Sequence, residues 1–228
     1  MALLVGLSVI APQHLSAQPA AIVAPPSYYR PVIAGGFTFP VARANWLSVL
    51  ELEDDWHDPR FRLIGGEWQL VGVHEGNDIV AEEGTPILSM TSGTVEAVGW
   101  TFYSGTRVGV RGADGKYYFY AHMSRVANGI RVGAAVEPGT VLGAIGNTGY
   151  GDPGHEDEFP PHLHVGIEGP GGWENPYPLV RRLYVASARA TWRGEERLAA
   201  AGRQGDRARF DRLAGVLYED LAAPLGME

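Results

Sequence analysis

Short stretches of alternating apolar and polar residues, separated by glycine-containing turns, dominate the chain from residue 65 to about residue 184. This alternation predicts half-buried β-strands, because successive side chains of a strand point to opposite faces. Asp114-Gly115 stands between two such stretches and predicts a tight hairpin, since Gly, Asn and Asp adopt positive φ at little cost. The predicted strands cover residues 94–98, 106–111, 117–122, 141–145 and 163–168. The middle of the chain is therefore predicted to be an all-β, antiparallel body.

Two related phrases within this body suggest an internal duplication. GTPI at residues 84–87 leads to GTV at residues 93–95, and Gly133 with Val136 leads to GTVLG at residues 139–143. No longer repeat of the solenoid type is present in the sequence.

The N-terminal region has the pattern of an export signal. An apolar run, ALLVGLSVIA at residues 2–11, is followed by Leu15-Ser16-Ala17, which predicts a signal peptide over residues 1–17 and a periplasmic or extracellular location. No Lys or Arg precedes the run, so a buried or disordered N-terminal segment is the alternative. Residues 18–36 are predicted to be a Pro-rich linker. The run is shorter than the roughly 18 apolar residues that a spanning helix needs, so no transmembrane segment is predicted.

The C-terminal region, residues 185–228, is predicted to be a short helical extension. A weaker helix is expected over residues 189–201, and Asp206 is the expected N-cap of a second helix that ends before Pro224. An apolar stripe on this second helix is expected to pack on its own domain, with a partner or dimer contact as the alternative. The stripe consists of Phe210, Leu213, Leu217 and Leu221.

Composition and charge exclude several kinds of partner and of functional site. The 228 residues are 45% hydrophobic and 19% charged, which suits one domain with extensions. The formal net charge of -8 argues against nucleic acid as a partner, because binding to phosphates requires clustered Lys and Arg. Cysteine is absent from the sequence, which excludes disulfides, a thiol nucleophile and Cys-ligated metals. A metal must therefore be bound by His, Asp or Glu.

Two segments match known motifs in their letters but lack the helix that each motif requires. GYGDPG at residues 149–154 matches a dinucleotide-binding pattern, but Pro153 and Pro160-Pro161 exclude the helix that would hold a pyrophosphate, so a loop is predicted. HEGND at residues 74–78 is superficially similar to the HExxH zinc helix. Gly76-Asn77 argues against a helix there, and the flanking residues predict strands.

Histidines at alternating positions are the informative feature. His162 and His164 flank Leu163 in a predicted strand, so both imidazoles are expected on the face opposite the core. His122 is expected to share a face with Tyr118 and Tyr120 at the end of another strand.

A carboxylate candidate lies further upstream. In an ideal strand the Cα atoms of His74 and Asp78 would be about 13 Å apart, and we expect Gly76 to allow the bend that brings them together. Two imidazoles and a carboxylate make a zinc site that leaves a fourth position for water.

The order His74-x-Gly76-x-Asp78, Tyr120-Ala121-His122 and His162-Leu163-His164 resembles the lysostaphin-type (LytM-like) zinc endopeptidases of bacterial cell walls. The resemblance covers residues 37 to about 179, and Asp55-Trp56 with Pro59-Arg60 is similar to the stretch upstream of the first ligand in some members. It implies a domain over residues 37–184 with the duplicated hybrid motif, a sandwich-like antiparallel fold. One Zn²⁺ per chain is implied, with His74, Asp78 and His164 as ligands and His122 and His162 as catalytic residues.

The resemblance also implies a substrate, the peptides of peptidoglycan, cleaved at D-alanyl or glycyl bonds. His122 and His162 would accept the proton of the attacking water and stabilise the oxyanion, and their individual roles stay open. Glu75 is an alternative base, although an extended chain should direct it away from His74. The acidic loop at residues 152–161 departs from the small-residue loop of the family, which leaves substrate choice open.

Aromatic residues are candidate walls for an extended peptide, with simple loop packing as the alternative: Trp100, Phe102, Tyr103 and Tyr150. A non-catalytic wall-binding or regulatory module on the same fold is the competing function. A carrier domain with Lys116 as its prosthetic lysine is a third, but a carrier has no need for the aligned histidines.

Overall fold

The computed structural model describes residues 31–42 and 49–203, with side chains to residue 193. The predicted signal peptide, the linker up to residue 30 and the second C-terminal helix lie outside the described residues. Over the described ranges the chain forms fourteen strands and one helix. They are β1 (Ile33–Ala34), β2 (Phe37–Thr38), β3 (Val49–Leu52), β4 (Pro59–Ile64), β5 (Glu67–Val73), β6 (Asn77–Ala81), β7 (Pro86–Leu88), β8 (Gly93–Thr101), β9 (Gly105–Gly112), β10 (Tyr117–Val126), β11 (Ala135–Val136), β12 (Val141–Ile145), β13 (His162–Gly169), β14 (Gly172–Glu174) and α1 (Tyr177–Arg203).

Ten of these strands make one antiparallel sheet. Its main path runs β11-β8-β9-β10-β13-β6-β3, while β12 pairs with β10 and β7, and β14 pairs with β13. All five predicted strands are present, and the predicted hairpin joins β9 to β10 with Gly115 at a φ of 83°. The predicted fold class, all-β with an antiparallel body, is confirmed.

The repeated phrases form a reciprocal arrangement. β7 from the first phrase pairs with β12 from the second, and β11 from the second pairs with β8 from the first. A glycine in each phrase allows a close strand approach, since an added Cβ would overlap the Arg111 carbonyl at Gly93 and the Arg125 carbonyl at Gly143. At these two positions glycine therefore serves close strand packing.

The core lies on one face of the central strands. Leu163, Val165 and Ile167 of β13 are buried, and the rings of Tyr118 and Tyr120 on the neighbouring β10 pack into the same cluster. The Tyr120 hydroxyl accepts a hydrogen bond from the Met90 backbone N–H at 2.8 Å, which pairs both groups inside the core. Because the apolar residues of β13 take this face, its histidines are left on the opposite one.

The ends of the body differ from the sequence interpretation. Val32 is buried and β1 pairs with β2, so the packed body begins before residue 37. At the other end α1 starts at Tyr177 and continues without interruption through residues 185–189, so residue 184 lies inside the helix. Asn175 accepts a hydrogen bond from the Tyr177 backbone N–H, as an N-cap does, and Val180 with Leu183 joins the core. No helix in the described residues is long and apolar enough to cross a membrane.

Candidate metal centre and catalytic cleft

Strand pairing brings the three predicted metal ligands together. β13 lies beside β6 with His164 directly opposite Asp78, and His74 follows the last residue of β5. His74 Nε2 lies 2.8 Å from His164 Nδ1 and 3.2 Å from Asp78 Oδ1, and His164 Nδ1 lies 2.9 Å from Asp78 Oδ1. Three potential metal-ligand atoms thus converge on one point, although His164 is 90 residues from His74 and 86 residues from Asp78 in the sequence.

These donors fit a zinc ion in kind and in spacing. A tetrahedral zinc with bonds of about 2.0–2.1 Å separates its ligand atoms by about 3.3 Å. The observed separations of 2.8 to 3.2 Å need to widen by only a few tenths of an ångström. Asp78 contributes Oδ1 to this point, while Arg60 Nη2 lies 3.4 Å from its other oxygen, Oδ2. Arg60 therefore favours a carboxylate that presents a single oxygen to a metal.

The charge states of these groups also suit a cation. Burial opposes ionisation of Asp78, but hydrogen bonds from His164 and His74 outweigh it and hold the pKa of Asp78 well below its usual range. Burial lowers the pKa of His164, so its ring is neutral. Burial also acts to lower the pKa of His74, but hydrogen bonds to Asp55 and Asp78 outweigh it and raise this pKa to about 9. A cation bound here would replace a proton on His74.

Gly76 permits this arrangement by its lack of a side chain. Its φ is outside the left-handed region, so conformational freedom is not what the position requires. An added Cβ would overlap the His164 ring and lie 2.7 Å from the Val165 carbonyl oxygen. The sequence interpretation assigned Gly76 to a bend, and the structure shows that close packing against a candidate ligand is the stronger constraint.

His122 reaches the same face by a route that the sequence interpretation missed. Strict alternation along β10 would place His122 with Tyr118 and Tyr120 inside the core, so the predicted shared face is wrong. The register shifts between Tyr120 and Met123, and His122 adopts a φ of 61°. This bulge turns His122 out of the core, and it lies within β10 and not at its end.

His122 and His162 form a pair beside the candidate metal ligands. Their ring centroids are 4.7 Å apart, and His162 Nε2 lies 3.7 Å from Asp78 Oδ1. His122 Nδ1 donates to the Thr148 carbonyl at 2.8 Å, and His162 Nδ1 donates to the Pro160 carbonyl at 2.8 Å. In the neutral form each ring therefore keeps its lone pair on Nε2. Burial, with the nearby His162 and His164, lowers the pKa of His122 to about 3, so it is neutral near pH 7.

The three candidate ligands and the pair of His122 and His162 line an open cleft of about 390 Å³. Tyr103 and Tyr150 are among its walls, as expected, whereas Trp100 is not among the lining residues and donates its indole N–H to the Gly151 carbonyl. Phe102 is likewise not among them. Three aromatic walls were absent from the sequence interpretation: Phe119, Phe159 and Trp173.

Residues 72–176 match the sequence profile of peptidase family M23. This segment, just under half of the chain, therefore resembles the peptidases of family M23. The chain is 44% identical over 113 residues to the L-Ala–D-Glu endopeptidase of Bacillus subtilis, covering 48% of this chain and 35% of that protein. It is 34% identical over 95 residues to lysostaphin of Staphylococcus simulans, covering 41% of this chain and 17% of that protein. The chain thus spans about a third or less of the length of these curated relatives.

A solved structure agrees with this resemblance. A protein of Ruminococcus gnavus, named as a glycyl-glycine endopeptidase LytM, superposes with a TM-score of 0.52 at 29% identity. The superposition covers 72% of this chain and 63% of that one. The resemblance on which the sequence interpretation relied is confirmed.

The acidic loop at residues 152–161 is held by its own polar contacts. Asn147 Nδ2 donates to Asp157 Oδ1 at 2.8 Å, and His155 Nδ1 donates to the Gly149 carbonyl at 2.8 Å. His155 also lies 3.4 Å from Glu158. The loop thereby places Phe159 edge-on to both His122 and His162, with centroid distances of 4.7 and 4.9 Å. Glu75 is exposed and lines the same cleft.

Replacing Gly76 with Ala is expected to weaken zinc binding at least about tenfold, because the methyl group must displace either the His164 ring or the Val165 backbone. Competition with a chromophoric chelator measures this affinity. Gly72→Ala on β5 is the matched control, since its Cβ would meet nothing within 4 Å and its φ is not left-handed. Equal zinc affinity in the two variants would contradict the packing role of Gly76.

Proposed function

We propose that the protein is a zinc-dependent endopeptidase that hydrolyses peptide bonds in bacterial peptidoglycan. The observation that carries the proposal is the convergence of His74, Asp78 and His164 beside two further histidines in an open cleft. The match of residues 72–176 to family M23 and the names of the endopeptidases that the chain resembles support the same activity. His74, Asp78 and His164 would hold one zinc ion per chain.

Zinc, when bound, supplies Lewis acidity that lowers the pKa of a water and polarises a carbonyl. The protein supplies the proton transfers. His122 and His162 each offer Nε2 to the cleft, because each Nδ1 proton is committed to a backbone carbonyl. One ring can take the proton of the attacking water, and an imidazolium can return a proton to the leaving amine.

An extended peptide suits the cleft, because two pairs of aromatic rings line it. The ring centroids of Phe119 and Trp173 are 6.0 Å apart, and those of Tyr150 and Phe159 are 5.6 Å apart. Such rings can hold the backbone of a peptide between them. We propose peptidoglycan stem peptides or cross-bridges as the substrate, and action in the cell envelope, outside the cytoplasm. The names of the relatives include both L-Ala–D-Glu and glycyl-glycine endopeptidases, so they leave the bond open.

A non-catalytic module that binds the wall or regulates a hydrolase is the competing function. It has no need of a complete donor set or of two histidines whose tautomers are both fixed. All five residues are present here with mutually consistent geometry. The structure therefore favours the enzyme.

Incubating the purified protein with defined muropeptides tests the proposal. Mass spectrometry is expected to detect products formed by addition of one water at a peptide bond, and to identify that bond. Activity is expected to disappear with a chelator and to return with added zinc. Stoichiometric zinc without cleavage of muropeptides or intact sacculi would favour the regulatory module.

A further inference from the structure

Asp55 contacts the candidate ligand His74 on the side opposite the metal position. The backbone carbonyl of Asp55 lies 3.0 Å from His74 Nδ1, and its carboxylate Oδ2 lies 3.1 Å from the same atom. Both oxygens are acceptors, so the single proton on Nδ1 is held between them. His74 Nε2 is the atom that faces Asp78 and His164.

The same carboxylate also holds the start of β6. Asp55 Oδ1 accepts a hydrogen bond from Asn77 Nδ2 at 2.6 Å, and the backbone N–H of Asp78 lies 3.2 Å from Oδ2 and 3.3 Å from Oδ1. Asn77 is fully buried and donates in addition to the Glu53 carbonyl at 2.6 Å. One side chain therefore ties the ring of one candidate ligand to the backbone of another.

The segment that carries Asp55 is itself fixed to His74. The backbone N–H of His57 donates to the His74 carbonyl at 2.9 Å, and the backbone N–H of His74 donates to the Asp58 carbonyl at 2.9 Å. His57 adopts a φ of 65°, which turns the chain back after Asp55. These backbone contacts place the Asp55 carboxylate independently of any metal.

We propose that Asp55 is a positioning residue, which fixes the metal-binding tautomer of His74 and the approach of Asp78. The inference rests on the proposed zinc site. If the ring proton moved to Nε2, it would occupy the lone pair that a metal needs. A carboxylate next to a ligand histidine keeps the proton on the nitrogen that faces away from the metal. It also makes the other nitrogen a stronger electron-pair donor to the metal.

Asp55→Asn tests this role, because it keeps the size of the side chain and removes one acceptor oxygen. The Asn amide group must point its N–H either at Asn77 Nδ2 or at the N–H groups of His74 and Asp78. In either orientation a donor faces a donor, so a hydrogen bond is lost. Zinc affinity, measured by chelator competition, is expected to fall about 10- to 100-fold. Asp54→Asn is the matched control, since Asp54 is exposed and its side chain contacts only Trp56 and Asn175 among the described hydrogen bonds.

Thermal unfolding of the zinc-free proteins separates positioning from general stability. We expect Asp55→Asn to retain a cooperative transition and to recover much of its activity at saturating zinc. A lowered transition with unchanged zinc affinity of the folded protein would overturn the proposal, as would an affinity equal to that of Asp54→Asn. A parent protein that binds no zinc would instead refute the proposed function itself.

Nitrogen-15 NMR of the imidazoles provides a measurement that needs no variant. In the zinc-loaded parent protein the His74 ring is expected to carry its proton on Nδ1 and to bind the metal through Nε2. This result would stand even if Asp55→Asn failed to fold. Zinc coordination through Nδ1 of His74 would overturn the inference.

Discussion

His164→Ala is expected to abolish both zinc binding and peptide hydrolysis. The variant removes the donor that links β13 to the other two ligands, and His74 with Asp78 alone leaves too few protein ligands for a stable site. The loss of affinity should exceed the roughly 10- to 100-fold that follows from losing a residue which only orients a ligand. Metal content after gel filtration and muropeptide cleavage are the two measurements.

His57→Asn is the control for this variant. It also removes an imidazole close to the site, but His57 is exposed, and its backbone N–H, not its ring, contacts His74. Asn tolerates the left-handed backbone at this position. We expect the control to keep its zinc and its activity. If His164→Ala retained stoichiometric zinc, the zinc would have to be bound at another site, and the ligand assignment would be wrong.

The sequence predicted the elements around the site because they obey simple periodicity. Alternation along residues 162–168 separates histidines from core residues, and antiparallel pairing then places Asp78 opposite His164. The ligand assignment came from the order of motifs, since no local pattern states that β6 and β13 are neighbours. These two candidate ligands are 86 residues apart in the sequence, yet the sheet places them in direct contact.

Other features depend on tertiary context and could not be predicted in this way. The bulge in β10 reverses the direction of His122, and nothing in the letters Tyr120-Ala121-His122 reports a left-handed histidine. The motif around Asp55-Trp56 resembles the stretch upstream of the first ligand, but the contact between the Asp55 carboxylate and His74 Nδ1 depends on how the two segments pack. The start of α1 carried an overlooked signal, because Asn175 is a suitable N-cap and Val180 with Leu183 has helical spacing.

The bulge in β10 and the glycine before β6 act together. A regular β10 would direct His122 into the apolar core, and a side chain at position 76 would push His164 away from Asp78. The sheet therefore brings the segments together, while the bulge sets the direction of His122 and the glycine leaves room for the His164 ring. These two local features bring the histidines and Asp78 into one cleft, which regular strand geometry alone would not do.

His162→Ala is expected to keep zinc and to lose most turnover, which separates the proposed proton-transfer role from metal binding. Its ring does not share the closest donor cluster, and Nε2 approaches Asp78 Oδ1 only to 3.7 Å. Zinc affinity should therefore change by less than about tenfold. A general acid or base contributes about 10²- to 10⁴-fold, so kcat should fall by this factor with little change in KM.

Steady-state hydrolysis of a defined muropeptide at saturating zinc measures kcat and KM for His162→Ala, with His57→Asn again as the control. Saturating metal excludes a loss that merely reflects an empty site. His122→Ala should behave in the same way, because its Nε2 faces the same cleft and its Nδ1 is likewise held by a backbone carbonyl. Cleavage by His162→Ala at the parental rate would remove this histidine from the proposed mechanism and leave His122 as the remaining candidate for proton transfer.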